Sequence, residues 1–159
     1  MIKAKYTMRK KRRTYPAVLA AMLACLLILA GCDDEVRISY GKLPSQAQAF
    51  IETFFPAESC VRAEREKDNG RKEYKVELSN GTQIEFNASG QWIEVDCQFS
   101  ALPAGVLPEA VSAHMAGHYP QAVPYKVERQ IGGYEVSISG GLELIYSADG
   151  TFVREQHDF

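Results

Sequence analysis

Histidine and cysteine are scarce in this 159-residue chain, with three His and four Cys widely scattered. That leaves little material for a metal centre or for thiol chemistry. No nucleophile elbow, phosphate-cradling glycine loop or carboxylate pair at a telling spacing is present, so the sequence offers no catalytic constellation and reads as a non-enzyme. No apolar run reaches the ~20 residues that a membrane-spanning helix needs. Basic residues are also short in the body. From Cys32 onward, 11 Lys+Arg face 20 Asp+Glu, a net charge of −9. Seven basic residues before Gly31 conceal this in the whole-chain value of −2. A body this acidic is a poor partner for nucleic acid, whose binding relies on phosphate neutralisation. What remains is 46% hydrophobic and 24% charged, a globular composition. The length suits one ordinary domain or two very small ones.

Lys3, Lys5, Arg9, Lys10, Lys11, Arg12 and Arg13 precede an uncharged apolar run from Ala17 to Gly31. A positive flank and a short apolar core make the pattern of an export signal. The run ends Leu29-Ala30-Gly31-Cys32, which resembles the bacterial lipobox. Small residues there let a peptidase reach the backbone, and the Cys32 thiol would carry the lipid. Residues 1–31 therefore read as a lipoprotein signal peptide, and 32–42 as an acidic linker. Cys25 is then a small residue of the discarded signal. The chain is expected to be exported and lipid-anchored in the bacterial cell envelope. Asp33-Asp34-Glu35 favours the outer membrane or surface and leaves the inner membrane open.

The rest is written twice. Leu43-Pro44 recurs as Leu107-Pro108, and Phe55-Pro56 as Tyr119-Pro120, both at an offset of 64. The offset then becomes 60, pairing Tyr74, Val76 and Leu78 with Tyr134, Val136 and Ile138. Ile84 and Phe86 pair with Leu144 and Tyr146, Gly90 with Gly150, and Trp92 with Phe152. Each copy opens with a helix. Pro44 is expected at its first position, and Ala47, Phe50, Ile51, Phe54 and Phe55 make one apolar stripe ended by Pro56. Pro108 to Tyr119 matches it, with Val111, Met115 and Tyr119 on the stripe. Four strands then follow in each copy, read from period-two alternation and from turns such as Asn80-Gly81. The expected fold is α+β: two tandem repeats, 43–99 and 107–159, each one helix on a four-stranded antiparallel meander, joined by a linker at 100–106.

The motif order Leu-Pro, amphipathic helix, aromatic-Pro, Tyr74-Lys75-Val76-Glu77-Leu78, Asn80-Gly81, Ile84-Glu85-Phe86 and Gly90-Gln91-Trp92 begins again at Leu107. It resembles the PepSY-like, β-lactamase-inhibitor-like family of exported bacterial proteins over nearly all of the mature chain. The resemblance implies helices packed on antiparallel sheet, and relatives that bind and inhibit enzymes. The second copy departs from the pattern where His114 and His118 replace Phe50 and Phe54.

His114 and His118 stand at i and i+4, but no third ligand is evident, so no metal and no cofactor are expected. Tyr40, Trp92 and Tyr125 read as core aromatics. Cys60 and Cys97 form an even pair in an oxidising compartment, which suggests a disulfide. Against it, they close opposite edges of a meander, about 14 Å apart, where a bridge needs Cα atoms within about 7 Å. The strand face away from the helices carries Lys75, Glu77, Glu85, Glu135, Glu143 and Ile145. This face is the expected contact surface for an envelope protein, such as a peptidase or other hydrolase. The sequence thus favours a non-enzymatic binding module, inhibitory by resemblance. A structural or small-ligand carrier lipoprotein is the alternative.

Overall fold

A computed structural model describes residues 35–157 apart from 69 and 99, within one compact unit that spans 33–159. The expected signal peptide and Cys32 lie outside the described residues. The chain forms β1 (Val36–Arg37), a 3-10 turn (Tyr40–Lys42) and helix α1 (Ser45–Phe54). Strands β2 (Cys60–Asp68), β3 (Arg71–Leu78), β4 (Gln83–Asn87) and β5 (Trp92–Asp96) follow. After helix α2 (Glu109–His118) come β6 (Pro124–Gln130), β7 (Gly133–Ile138), β8 (Leu142–Ser147) and β9 (Phe152–His157).

The expected pair of separate helix-on-meander repeats does not form. All nine strands join a single antiparallel sheet whose spatial order is the chain order, β1 to β9. The join is the pairing of β5 with β6, where Glu94, Val95 and Asp96 face Glu128, Val127 and Lys126. The connecting segment is tied back as well: Cys97 N–H donates to Tyr125 O at 2.8 Å and Leu102 N–H to Pro124 O at 2.8 Å. The physical reason is the edge. Two four-stranded sheets would each expose a row of unpaired N–H and C=O groups, and pairing β5 with β6 satisfies both rows at once. Val36 and Arg37 add a further strand beside Arg65 and Glu64.

Both helices cover one face of this sheet. Ala47, Ile51, Val111 and Met115 are buried there in one cluster with Val76, Ile84, Phe86, Val95, Val127, Val136, Leu144 and Tyr146. Helix α2 buries Val111 and Met115 as expected, whereas α1 spends its stripe differently from the sequence expectation. In α1 the buried positions are Ala47 and Ile51, with Phe55 just beyond its end, while Phe50 and Phe54 are half-buried on the flank. Pro44 and Pro108 cap their helices from outside, each with its carbonyl accepting the first helical bond, from Gln48 at 3.1 Å and Ser112 at 3.0 Å.

Because all neighbours run antiparallel, the turns alternate between two ends of the sheet. The β2–β3, β4–β5, β6–β7 and β8–β9 turns share one end. Both helices begin at that end: Gly90 of the β4–β5 turn abuts Pro44 and Ala47, and Gly150 of the β8–β9 turn abuts Ala110.

Candidate functional site

Strand alternation sends every second side chain to the face that no helix covers. Continuous pairing aligns these residues across the whole sheet. One row runs Arg37, Glu64, Lys75, Glu85, Glu94, Glu128, Glu135, Ile145, Arg154, each directly opposite the next. The row beside it runs Arg62, Glu77, Gln83, Asp96, Lys126, Ser137, Glu143, Gln156. The residues singled out in sequence, Lys75, Glu77, Glu85, Glu135, Glu143 and Ile145, all fall in these two rows. Sequence reading missed Glu64, Glu94, Asp96, Lys126 and Glu128. Their strands show the alternation, but only inter-strand register reveals that Glu85, Glu94, Glu128 and Glu135 are consecutive neighbours.

Like charges directly opposite one another destabilise a sheet, and here cations offset only part of the row. Lys75 Nζ reaches Glu66 at 3.1 Å and Glu85 at 3.3 Å. Lys126 Nζ holds Glu94 at 3.1 Å, and Arg62 Nε holds Glu64 at 2.5 Å. The β7–β8 part is left with excess negative charge. Burial, then the neighbouring Glu143 and Glu128 carboxylates, push the Glu135 carboxyl above its ordinary range. Glu143 accepts a hydrogen bond from Gln156 Nε2 at 2.8 Å. The result is a broad acidic surface held on strands, with half-buried carboxylates that keep unspent acceptor capacity.

The two body cysteines do not bridge. Both are free thiols, with β3 and β4 lying between β2, which Cys60 opens, and the end of β5, which Cys97 follows. Burial pushes both thiols up from their ordinary range. Cys97 packs in the core, and the fully buried Thr82 hydroxyl has no hydrogen-bond partner among the described residues.

A family model described as beta-lactamase-inhibitor-like, PepSY-like matches residues 33–81 and 72–154. The chain belongs to this family. Solved structures similar to it include two Bacteroides vulgatus proteins described as periplasmic. The first is 37% identical, with 80% of this chain and 100% of its own covered and a TM-score of 0.76. The second is 31% identical, with 77% and 98% covered and a TM-score of 0.74. A Bacteroides thetaiotaomicron protein described as calcium-regulated and periplasmic is 31% identical, with 78% and 98% covered and a TM-score of 0.75. No curated protein matches the chain. The periplasmic relatives place this PepSY-like chain among exported proteins. Among the described residues no helix is long and apolar enough to cross a membrane.

Among the described residues, no three His, Cys, Asp or Glu side chains gather as a metal site would require. His114 and His118 stack face to face instead, with ring centroids 4.3 Å apart and planes 15° apart. His114 also stacks on Phe152 at 4.6 Å and meets the Tyr146 hydroxyl through Nδ1 at 3.1 Å. His118 Nδ1 lies 3.0 Å from the His114 carbonyl oxygen. In this PepSY-like chain, His114 thus packs on Tyr146 as Phe50 packs on Phe86, the corresponding pair of the first copy. Burial and the neighbouring His118 hold its pKa below the usual 6.5. The native state therefore favours neutral His114. Its contribution to stability is complete above pH 6.5 and is lost as the pH falls through that value to the lower native pKa. Thermal unfolding between pH 7.5 and 5 should show a falling melting temperature, and His114→Phe should flatten that fall. An identical pH profile in the variant would show that this ring does not sense pH.

Proposed function

We propose that the protein is a lipid-anchored, non-enzymatic envelope module, tethered through Cys32, that binds a protein target through its open sheet face. The observation that carries this reading is the aligned double row of side chains across the nine-stranded sheet. A hydrogen-bonded sheet presents those groups with little left to order on association, which lowers the entropic cost of binding. Its excess of Glu steers a partner with a basic face and adds specificity more than raw affinity. Family membership supports an inhibitory role, with an envelope hydrolase as the target class.

The test begins with cross-linked capture from envelope extract and titration of the purified partner. Neutralising Glu77, Glu85, Glu135 and Glu143 together to Gln should weaken that complex at least about tenfold. Folding stability should stay within about 1 kcal/mol of wild type, because loss of the Lys75–Glu85 ion pair is offset by relief of the like charges on Glu135 and Glu143. Equal affinity for the wild type and the quadruple variant would move the binding site elsewhere. The tether has its own readout: Cys32→Ser should shift the protein out of the detergent phase, and unchanged partitioning would remove the lipid from the model of function.

A further inference from the structure

Most cations of the body fall into two groups, with Arg37, Lys42 and Arg154 in neither. Arg62, Lys75 and Lys126 are bound to carboxylates on the open face. Arg65, Lys67, Arg71, Lys72 and Arg129 are instead exposed near the end of the sheet that carries the β2–β3, β4–β5 and β6–β7 turns, and none makes an ion pair among the described residues. Of the acids at this end, Glu66 is committed to Lys75, Glu35 to Arg62 and Asp149 to Ser147 and Thr151, and Glu73 has a partner of its own. The Arg129 guanidinium lies 4.0 Å over the Trp92 ring, and Lys72 Nζ lies 5.1 Å over Tyr74. Ring faces hold these cations in place without neutralising them. Two open clefts meet at Lys72, one lined by Val36, Arg65, Glu66 and Lys67, the other by Arg71, Glu73, Trp92 and Arg129. Both helices start at this end; the α1 N-terminus has no acid in its first turn and adds positive field, whereas Glu109 offsets that of α2. At the tip of the β6–β7 turn, Ile131 is 108% exposed, with no side chain to pack on.

The chain also enters here. β1 runs antiparallel to β2 with Val36 opposite Arg65, so the backbone traced back from Val36 heads toward the β2–β3 turn. Glu35 is the first described residue, and three peptide steps from it to Cys32 reach at most about 11 Å.

We propose that this basic end of the sheet docks on an anionic membrane surface, with lipid phosphates meeting Lys67, Arg71, Lys72 and Arg129 and with Ile131 entering the interface. The orientation rests on the proposed lipid at Cys32, which would tether the body by this same end. The acidic face then stands away from the anionic headgroups, upright and open to a partner. Cations spread around the rim of a flat end, with one exposed apolar tip, suit a surface of many phosphates better than a single small anion.

Trp92 is the sole tryptophan and lies at this end, so it reports docking directly. The mature lipoprotein is placed in phosphatidylcholine vesicles with about one third phosphatidylglycerol and a dansyl-labelled headgroup lipid. Energy transfer from Trp92 should be high, and should fall when about 1 M salt shortens the Debye length to ~3 Å. Each surface cation is worth about fivefold in anionic-membrane partition, so Lys67→Ala, Arg71→Ala and Lys72→Ala together should shift docking about 100-fold. Ile131→Ser, outside the core, should lower it by up to about tenfold. Transfer no higher in anionic than in pure phosphatidylcholine vesicles, or unchanged in the triple variant, would overturn the proposal. So would saturable binding of inorganic polyphosphate at these residues without vesicle docking, which would assign the end to a free anion. The unlipidated unit 33–159, which includes the described fold, separates this from the tether. Its sedimentation with the anionic vesicles should be lost in the triple variant whether or not Cys32 is acylated. Failure of the full chain to stay on pure phosphatidylcholine vesicles would sink the lipid reading alone.

Discussion

Phe86→Ala is expected to cost about 3–5 kcal/mol in urea unfolding, the range for emptying a buried aromatic site. Phe86 is fully buried and lies between Tyr74 on β3 and Trp92 on β5 in the sheet register. Phe50 of α1 meets its ring edge-on at 5.9 Å, so the ring both fills the core and seats the helix. Removing it leaves a cavity bounded by paired strands, which cannot collapse without breaking backbone hydrogen bonds. Phe54→Ala should cost less, because Phe54 is only half-buried on the flank of α1. A loss below about 1 kcal/mol for Phe86→Ala would mean that α1 is not seated on the sheet through this ring.

Gly90→Ala should cost about 3 kcal/mol, for two separate reasons. Its φ of +88° is a left-handed conformation that a Cβ penalises. A Cβ there would also lie 2.7 Å from Pro44 Cβ and 2.9 Å from the Ala47 backbone nitrogen, so helix and turn would have to separate. Gly70→Ala isolates the first reason: its φ is +79°, yet nothing lies within 4 Å of an added Cβ. It should cost only about 1 kcal/mol. Equal losses for the two variants would show that the turn does not press on the helix. A difference of about 2 kcal/mol would measure that contact.

The local elements were legible because each rests on nearby signals. Alternation at Tyr74, Val76 and Leu78, the Asn80-Gly81 turn and the two proline-bounded stripes need only a few neighbours to act. The join of the halves was not legible. Nothing local in Glu94-Val95-Asp96 distinguishes an edge strand from one that pairs with Lys126-Val127-Glu128, since both alternate apolar and charged. What decides it is the cost of leaving two rows of backbone groups unpaired, a property of the assembled sheet. The same gap hid most of the acidic row. Glu85 and Glu135 stood out in sequence as outward positions, whereas Glu94 and Glu128, which link them, are neighbours only through the β5–β6 pairing. The free Cys60 and Cys97 follow the opposite pattern: counting strands between them in sequence already argued against a bridge, and the sheet keeps them apart.

A sheet whose spatial order repeats its chain order has a kinetic consequence. Every strand after β2 except β6 finds its preceding partner across a single turn, and β6 finds β5 across one helix and its connections. β1 alone reaches across α1 to find β2. The two widest pairings, β1–β2 and β5–β6, each reach across one helix and no further, so the relative contact order is low for a molecule this rich in strand. The sheet can grow one hairpin at a time, with an exposed edge that is always the next strand's own template. The same seam at β5–β6 couples the two halves, so that hairpins formed one after another still melt together.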